Sequence, residues 1–188
     1  LVAVVVVVGR GDGEPPAGRR RARVADHHEA ARAPLKEIGA DITVQRPGNV
    51  PEELTGAVFP CSAVTIRRDE IERIQKVFGL RGTGTAVLLW VFEPNRAWIV
   101  LGIEQENPIG PSILRNFVTE GRYLAEGKPE ALVEAAYARQ FGIKPGDTVS
   151  VVGRSFPVVG LVDASHAPKI AVANLYLPLP EAQAIAAA

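Results

Sequence analysis

The chain has 188 residues, 47 % hydrophobic and 22 % charged, so it can bury a sizeable core and is not a disordered tail. Its 21 Lys and Arg balance 21 Asp and Glu, which leaves no net basic field to draw it to nucleic acid or anionic lipid. The single cysteine, Cys61, excludes an internal disulfide and a cysteine-rich metal site, and His27, His28 and His166 are a poor metal cage.

No stretch reaches the roughly 20 apolar residues that span a bilayer. The opening "LVAVVVVV" is eight residues long and enters a glycine turn, "GRGDG", as a dinucleotide-binding strand and phosphate loop would. Gly9 and Gly11 fit the first two glycines of that fingerprint, but Glu14 stands at the third and Pro15 and Pro16 follow. A carboxylate facing the pyrophosphate, and no helix start behind it, argue against the site. The apolar run is β-prone, and residues 1–34 read as either a membrane-span remnant or a linker. "RGD" at residues 10–12 carries no message unless it lies on an exposed loop. "RRRAR" at 19–23 reads as a solvated stretch.

Asp26 with Glu29 three residues on makes a capping box for a short helix, which Pro34 interrupts and which ends near Gly39. "DITVQR" (41–46) alternates as a half-buried strand and closes at "PGN". "AVTIRRDEIERIQKVFG" predicts a brief strand, then a helix with Ile71, Ile74, Val77 and Phe78 on one face and Gly79 past its end. "TAVLLWVF" and "AWIVLGI" are strands joined through Pro94 and Asn95. They barely alternate, so both faces should be covered, one of them by the preceding helix, with Trp90 and Trp98 as packing anchors.

"QENPIGPS" reads as a loop, "ILRNF" as a helical turn, and "EGRYLAEGKP" as a glycine-punctuated stretch. "ALVEAAYARQFG" reads by propensity as one helix, although "ALVE" also suits a strand. "GDTVSVVGRSFPVVGLVD" is a hairpin with Gly153 and Arg154 at its turn. "AVANLYLPL" is a strand, and Pro180 starts a last helix. Strand-helix units thus bracket a β-rich insertion of about sixty residues, an α+β arrangement.

No catalytic constellation emerges. Cys61 could pair only with His27, His28 or His166, and "PCSAV" has no nucleophile signature. Ser62, Ser112, Ser155 and Ser165 lack the G-x-S-x-G setting. Asp69, Glu70 and Glu72 sit where acids favour a helix macrodipole, not as an acid/base pair.

The ordered run of motifs from residue 35 to 186 resembles the extracytoplasmic core domain of MacB-like and FtsX-like ABC transporter permeases. It begins at "LKEIGADITVQRPG", continues through "IRRDEIERIQKVFGLRGT", and is most specific in "EGRYLAEGKPEALVEAAYARQFGIKPGDTVSVVGRSFPVVGLV" before closing at "LYLPLPEAQAI". The motif residues are Gly121, Arg122, Gly142, Gly146, Asp147, Gly153 and Gly160. The glycines among them are read as structural, for a helix end, a turn, and a bulge or close backbone approach.

The resemblance implies a two-lobed domain. Residues 35–103 with 170–188 would form an outer α/β subdomain, incomplete at its C-terminus, and 104–169 an inserted β-rich one. It also implies a domain on the periplasmic or extracellular side of the cytoplasmic membrane, between two spans. It would be non-catalytic and without cofactor or metal, with ATP used only by a separate cytoplasmic ABC ATPase. Its partners would be that ATPase, a second permease subunit in a homodimer or heterodimer, and a periplasmic adaptor or lipoprotein, but no nucleic acid. Two other readings remain at this stage. One is a stand-alone small β-barrel binding module built on residues 104–169, the other a Cys61-His or nucleotide-dependent enzyme.

Overall fold

The computed structural model describes residues 4–10, 42–44, 58–60, 66–77, 80–166 and 173–187. The readings of the capping box at Asp26, of residues 19–23, of His27, His28, Cys61 and Ser62, and of Phe78 and Gly79 fall outside them.

The described elements are built around one long hairpin. Strands β4 (Leu80–Glu93) and β5 (Arg96–Ile103) pair antiparallel from Ala86–Ile103 to Glu93–Arg96, so Pro94 and Asn95 alone make the turn. Pro presets the backbone for such a turn, and the β-branched and aromatic residues on either side suit the pleat. On one side of β4 lie β1 (Val4–Arg10) and then β2 (Ile42–Val44), both antiparallel; β3 (Val58–Pro60) also pairs with β4. The opening apolar run is therefore a sheet strand, with Val4 opposite Val87 and Val8 opposite Thr83.

On the other side the order continues β5, β10 (Leu175–Pro178), β7 (Ala131–Glu134), β9 (Arg154–Val162) and β6 (Val118–Gly121). β10 runs parallel to β5, and β7 parallel to β9. β8 (Thr148–Val151) forms a hairpin with β9. The result is a mixed sheet with few helices, an α+β fold.

Strand alternation sorts the apolar side chains into two layers. On one face Val87, Leu89, Val91, Val100, Val133, Leu175 and Leu177 form a single cluster with Val149, Val151 and Phe156. On the other, Ala86, Leu101, Ile103, Leu132 and Tyr176 meet Leu114, Leu124 and Val162. The first face is covered by helices α2 (Ala135–Phe141) and α3 (Leu179–Ala186), through Ala138, Ala182 and Ile185. The second is covered by the 3-10 helix Pro111–Phe117 and the segment after β6.

The preceding helix, α1 (Arg68–Gln75), does not cover the sheet as expected. It buries no residue, and its Ile71 and Ile74 pack on Ile66, Val44 and Leu80 at the start of β4. Val77, expected on its apolar face, is 56 % exposed. The cover comes instead from α3, more than eighty residues later in sequence. Gly102 makes this possible, because a Cβ there would lie 2.4 Å from the Ala182 Cβ.

Two further differences have local causes. "ALVE" is strand and only "AAYARQF" is helix, because Glu134 caps α2 by accepting the Tyr137 amide N–H at 2.6 Å, and Ala131, Leu132 and Val133 are fully buried between β10 and β9. The β8–β9 turn is made by Val152 and Gly153, not Gly153 and Arg154, since Val151 faces Arg154 directly. Both turn residues have positive φ, 49° and 73°.

Candidate functional site

Six of the seven motif residues form two structural assemblies, and Gly153 stands apart in the β8–β9 turn. In the first, β6 crosses β9 with no side chain between the backbones. A Cβ on Gly121, whose φ is 74°, would lie 2.3 Å from the Val159 carbonyl oxygen, and one on Gly160 would lie 2.4 Å from that of Arg122. The Arg122 amide donates to the Val159 carbonyl at 2.9 Å across the gap. Arg122 then turns its guanidinium onto Glu130, with Nη1 to Oε2 at 2.7 Å and Nη2 to Oε1 at 2.6 Å. Nη1 also donates to the Tyr123 carbonyl, and Glu130 Oε2 accepts the Ala125 N–H at 3.0 Å. Arg122 thereby staples the loop from Gly121 to the start of β7.

Glu130 is nearly buried, whereas Arg122 is half exposed. The Arg122 hydrogen bonds, aided by the Ala125 amide, hold the Glu130 carboxyl below its ordinary range, and the same pairing raises Arg122. Sequence reasoning singled out Arg122 but missed Glu130. The signal was an acid immediately before the apolar run "ALV" that opens β7, in a stretch already containing an arginine.

The second assembly closes the helix-to-hairpin connection. Gly142 takes the left-handed conformation (φ 68°) at the end of α2, and Ile143 N–H returns to the Ala138 carbonyl at 2.9 Å. Asp147 Oδ2 accepts the Lys144 N–H at 2.7 Å, and Gly146 (φ 98°) donates to the Val158 carbonyl at 2.8 Å. Gly153 lies at the far end of the hairpin, away from Gly146. There the Val152 N–H reaches Glu93 Oε1 at 2.9 Å, while Glu93 Oε2 accepts Trp98 Nε1 at 3.3 Å. One carboxylate thus joins the tips of two hairpins. Glu93 was also missed, since only the fold brings residues 93 and 152 together.

A cleft of about 510 Å³ opens beside this junction, where the start of β5 meets α2. It is lined by Trp90, Ile99, Tyr137, Phe141 and Asn174 among others. Trp98 is buried, as a packing anchor should be, but Trp90 is only half-buried and forms part of the cleft wall. Tyr137 lies between Trp98 and Phe141, with ring centroids 5.1 and 4.5 Å away. Of the serines considered, Ser112 is buried with its hydroxyl donating to the Asn107 carbonyl, and Ser165 is an exposed partner of Asp163. Among the described residues no cluster of three His, Cys, Asp or Glu side chains could hold a metal ion, and no helix is long and apolar enough to cross a membrane.

Residues 24–187 match the profile of the MacB-like periplasmic core domain. The class this defines is the extracytoplasmic domain of an ABC transporter permease. The chain belongs to the MacB-like periplasmic core domain family. No curated protein matches it. Membership places the domain outside the cytoplasm, in a family whose permeases generally work with a cytoplasmic ATPase and as dimers.

Proposed function

We propose that this domain catalyses nothing itself and couples motion driven by a cytoplasmic ABC ATPase to an exported substrate or an envelope partner. It binds no cofactor of its own, ATP being used by the separate ATPase. It works within a permease homodimer or heterodimer, with an adaptor or lipoprotein as its outer contact. The match over residues 24–187 carries this reading.

The sheet order supports a division into two subdomains. All described strands from the first 103 residues, together with β10, lie on one side of the β10–β7 pairing, and β7, β9, β6 and β8 lie on the other. This favours residues 35–103 with 170–188 as one subdomain and 104–169 as the other, with β1 (Val4–Arg10) added to the first. Both apolar clusters cross that seam, which suits transmission of force as one unit and disfavours a stand-alone module of residues 104–169.

The test uses the complete transporter. Replacing this domain by a flexible linker should leave ATP hydrolysis measurable and abolish export. Undiminished export would overturn the reading, as would a complete reading frame with no membrane span on either side of the domain.

A further inference from the structure

We infer that the outer edge of β8 is a strand-addition site for an extended segment of a partner protein, one that alternates polar and apolar residues and adds antiparallel. The edge follows from the register of the β8–β9 hairpin. Val151 faces Arg154 and Val149 faces Phe156 behind a two-residue turn, so Val149 and Val151 direct their main-chain groups at β9. Thr148 and Ser150 then direct their N–H and C=O groups the other way. Both residues are exposed, and among the described residues nothing takes up those groups.

Three observations select the occupant. First, alternating main-chain donors and acceptors along one edge are matched by another extended backbone. The same row already holds a partner from outside the hairpin at Val152, whose N–H donates to Glu93 Oε1 at 2.9 Å. Second, this edge lacks the protection that its counterpart has. On the far edge of β9, Pro157 offers no N–H, and the Val159 carbonyl accepts the Arg122 N–H at 2.9 Å. β8, "TVSV", carries neither a proline nor a charge. Third, alternation fixes the side chains of the added strand. Val149 and Val151 are buried in the apolar cluster, whereas Thr148 and Ser150 face water. Residues directly opposite share a face, so the partner sets polar residues beside Thr148 and Ser150 and apolar ones beside Val149 and Val151. The antiparallel sense follows from its greater stability per residue.

This inference concerns the domain alone and stands or falls independently of the coupling role. The probe is a capped heptapeptide of alternating threonine and valine, made in two forms, N-methylated on the valines or on the threonines. In the antiparallel arrangement the threonine N–H groups face β8 and the valine N–H groups face away. Amide NMR of the nitrogen-labelled full chain follows the titration. The valine-methylated peptide should shift the Thr148 and Ser150 amides saturably and slow their hydrogen exchange. The threonine-methylated peptide should bind at least about tenfold more weakly. Ser150→Pro removes an N–H that β9 does not use and should weaken the first peptide about fivefold. Absence of a saturable shift at these two amides overturns the inference, as does equal or reversed binding of the two peptides. Self-association of the domain that Ser150→Pro removes would assign the edge to a second copy and overturn it too. The two peptides on the unaltered protein decide the matter even where the variant melts early.

Discussion

Val152 adopts a φ of 49°, a conformation that a β-branched residue rarely takes. It is kept there by the two-residue turn and by the hydrogen bond from its N–H to Glu93. Asn accepts that conformation readily, and Asn-Gly is the preferred pair for this kind of turn. Relief of strain is worth about 1–2 kcal/mol, against a smaller loss from the half-buried isopropyl group. Val152→Asn should therefore stabilise the protein by about 0.5–1 kcal/mol, read from denaturant midpoints. Glu130 behaves differently because its contribution depends on charge. Its folded pKa lies below the ordinary 4.5, so the stability it adds is complete above that value and is lost as pH falls through the folded pKa. Glu130→Gln should remove this acid-side slope in thermal melts from pH 7 down to 3, and a variant as acid-sensitive as the parent would refute the assignment. Two tyrosines act at the other end of the scale. Burial pushes Tyr123 and Tyr176 up to about 12 from 10, so the neutral phenols favour the fold below pH 10. Stability should fall between pH 10 and 12, and Tyr176→Phe should flatten that decline.

At the scale of elements, the glycines separate into those that supply a conformation and those that supply space. Gly142 needs its left-handed φ of 68°, but nothing lies within 4 Å of a Cβ placed there. Gly142→Ala should cost only about 1 kcal/mol, the strain of that conformation. At Gly160 the obstruction is the backbone of Arg122 and Glu120, at 2.4 and 2.8 Å, which cannot rotate away. Gly160→Ala should cost about 2–4 kcal/mol and part β6 from β9. Urea unfolding of both variants gives the comparison, and equal losses would mean the crossing is looser than these distances. Here the sequence was partly legible. The glycine pattern "GR…G…GD…G" read as structural, and the β4–β5 hairpin was plain from its apolar runs and "EPNR". The split of "ALVEAAYARQFG" was not, because Ala, Leu and Glu favour helix locally, and only burial between two strands makes the first four residues extended.

At the scale of the molecule, both apolar layers draw on the early hairpin, on β10 and on the segment between them. Arg154 of β9 also pairs with Glu181 of α3 across the same division. A fragment of residues 104–169 would expose Leu132, Val133, Phe156 and Val162 where β10 and α3 should lie. It should bind hydrophobic dyes and show no cooperative melt, whereas the whole chain should unfold in one transition; a cooperative fragment would restore the stand-alone module as a reading.

The sequence by itself determined what local chemistry controls: the main hairpins and their approximate ends, the end of α2 and the start of α3, and the loss of the nucleotide site through Glu14. The ordered motifs also pointed to the family. Tertiary structure alone decided that residues 4–10 form a sheet strand, that α3 and not α1 covers the central hairpin, and that Glu130 and Glu93 act as staples. Period and propensity describe neighbours along the chain. Which surface an element covers, and which buried acid meets which donor, depends on pairings between residues scores of positions apart.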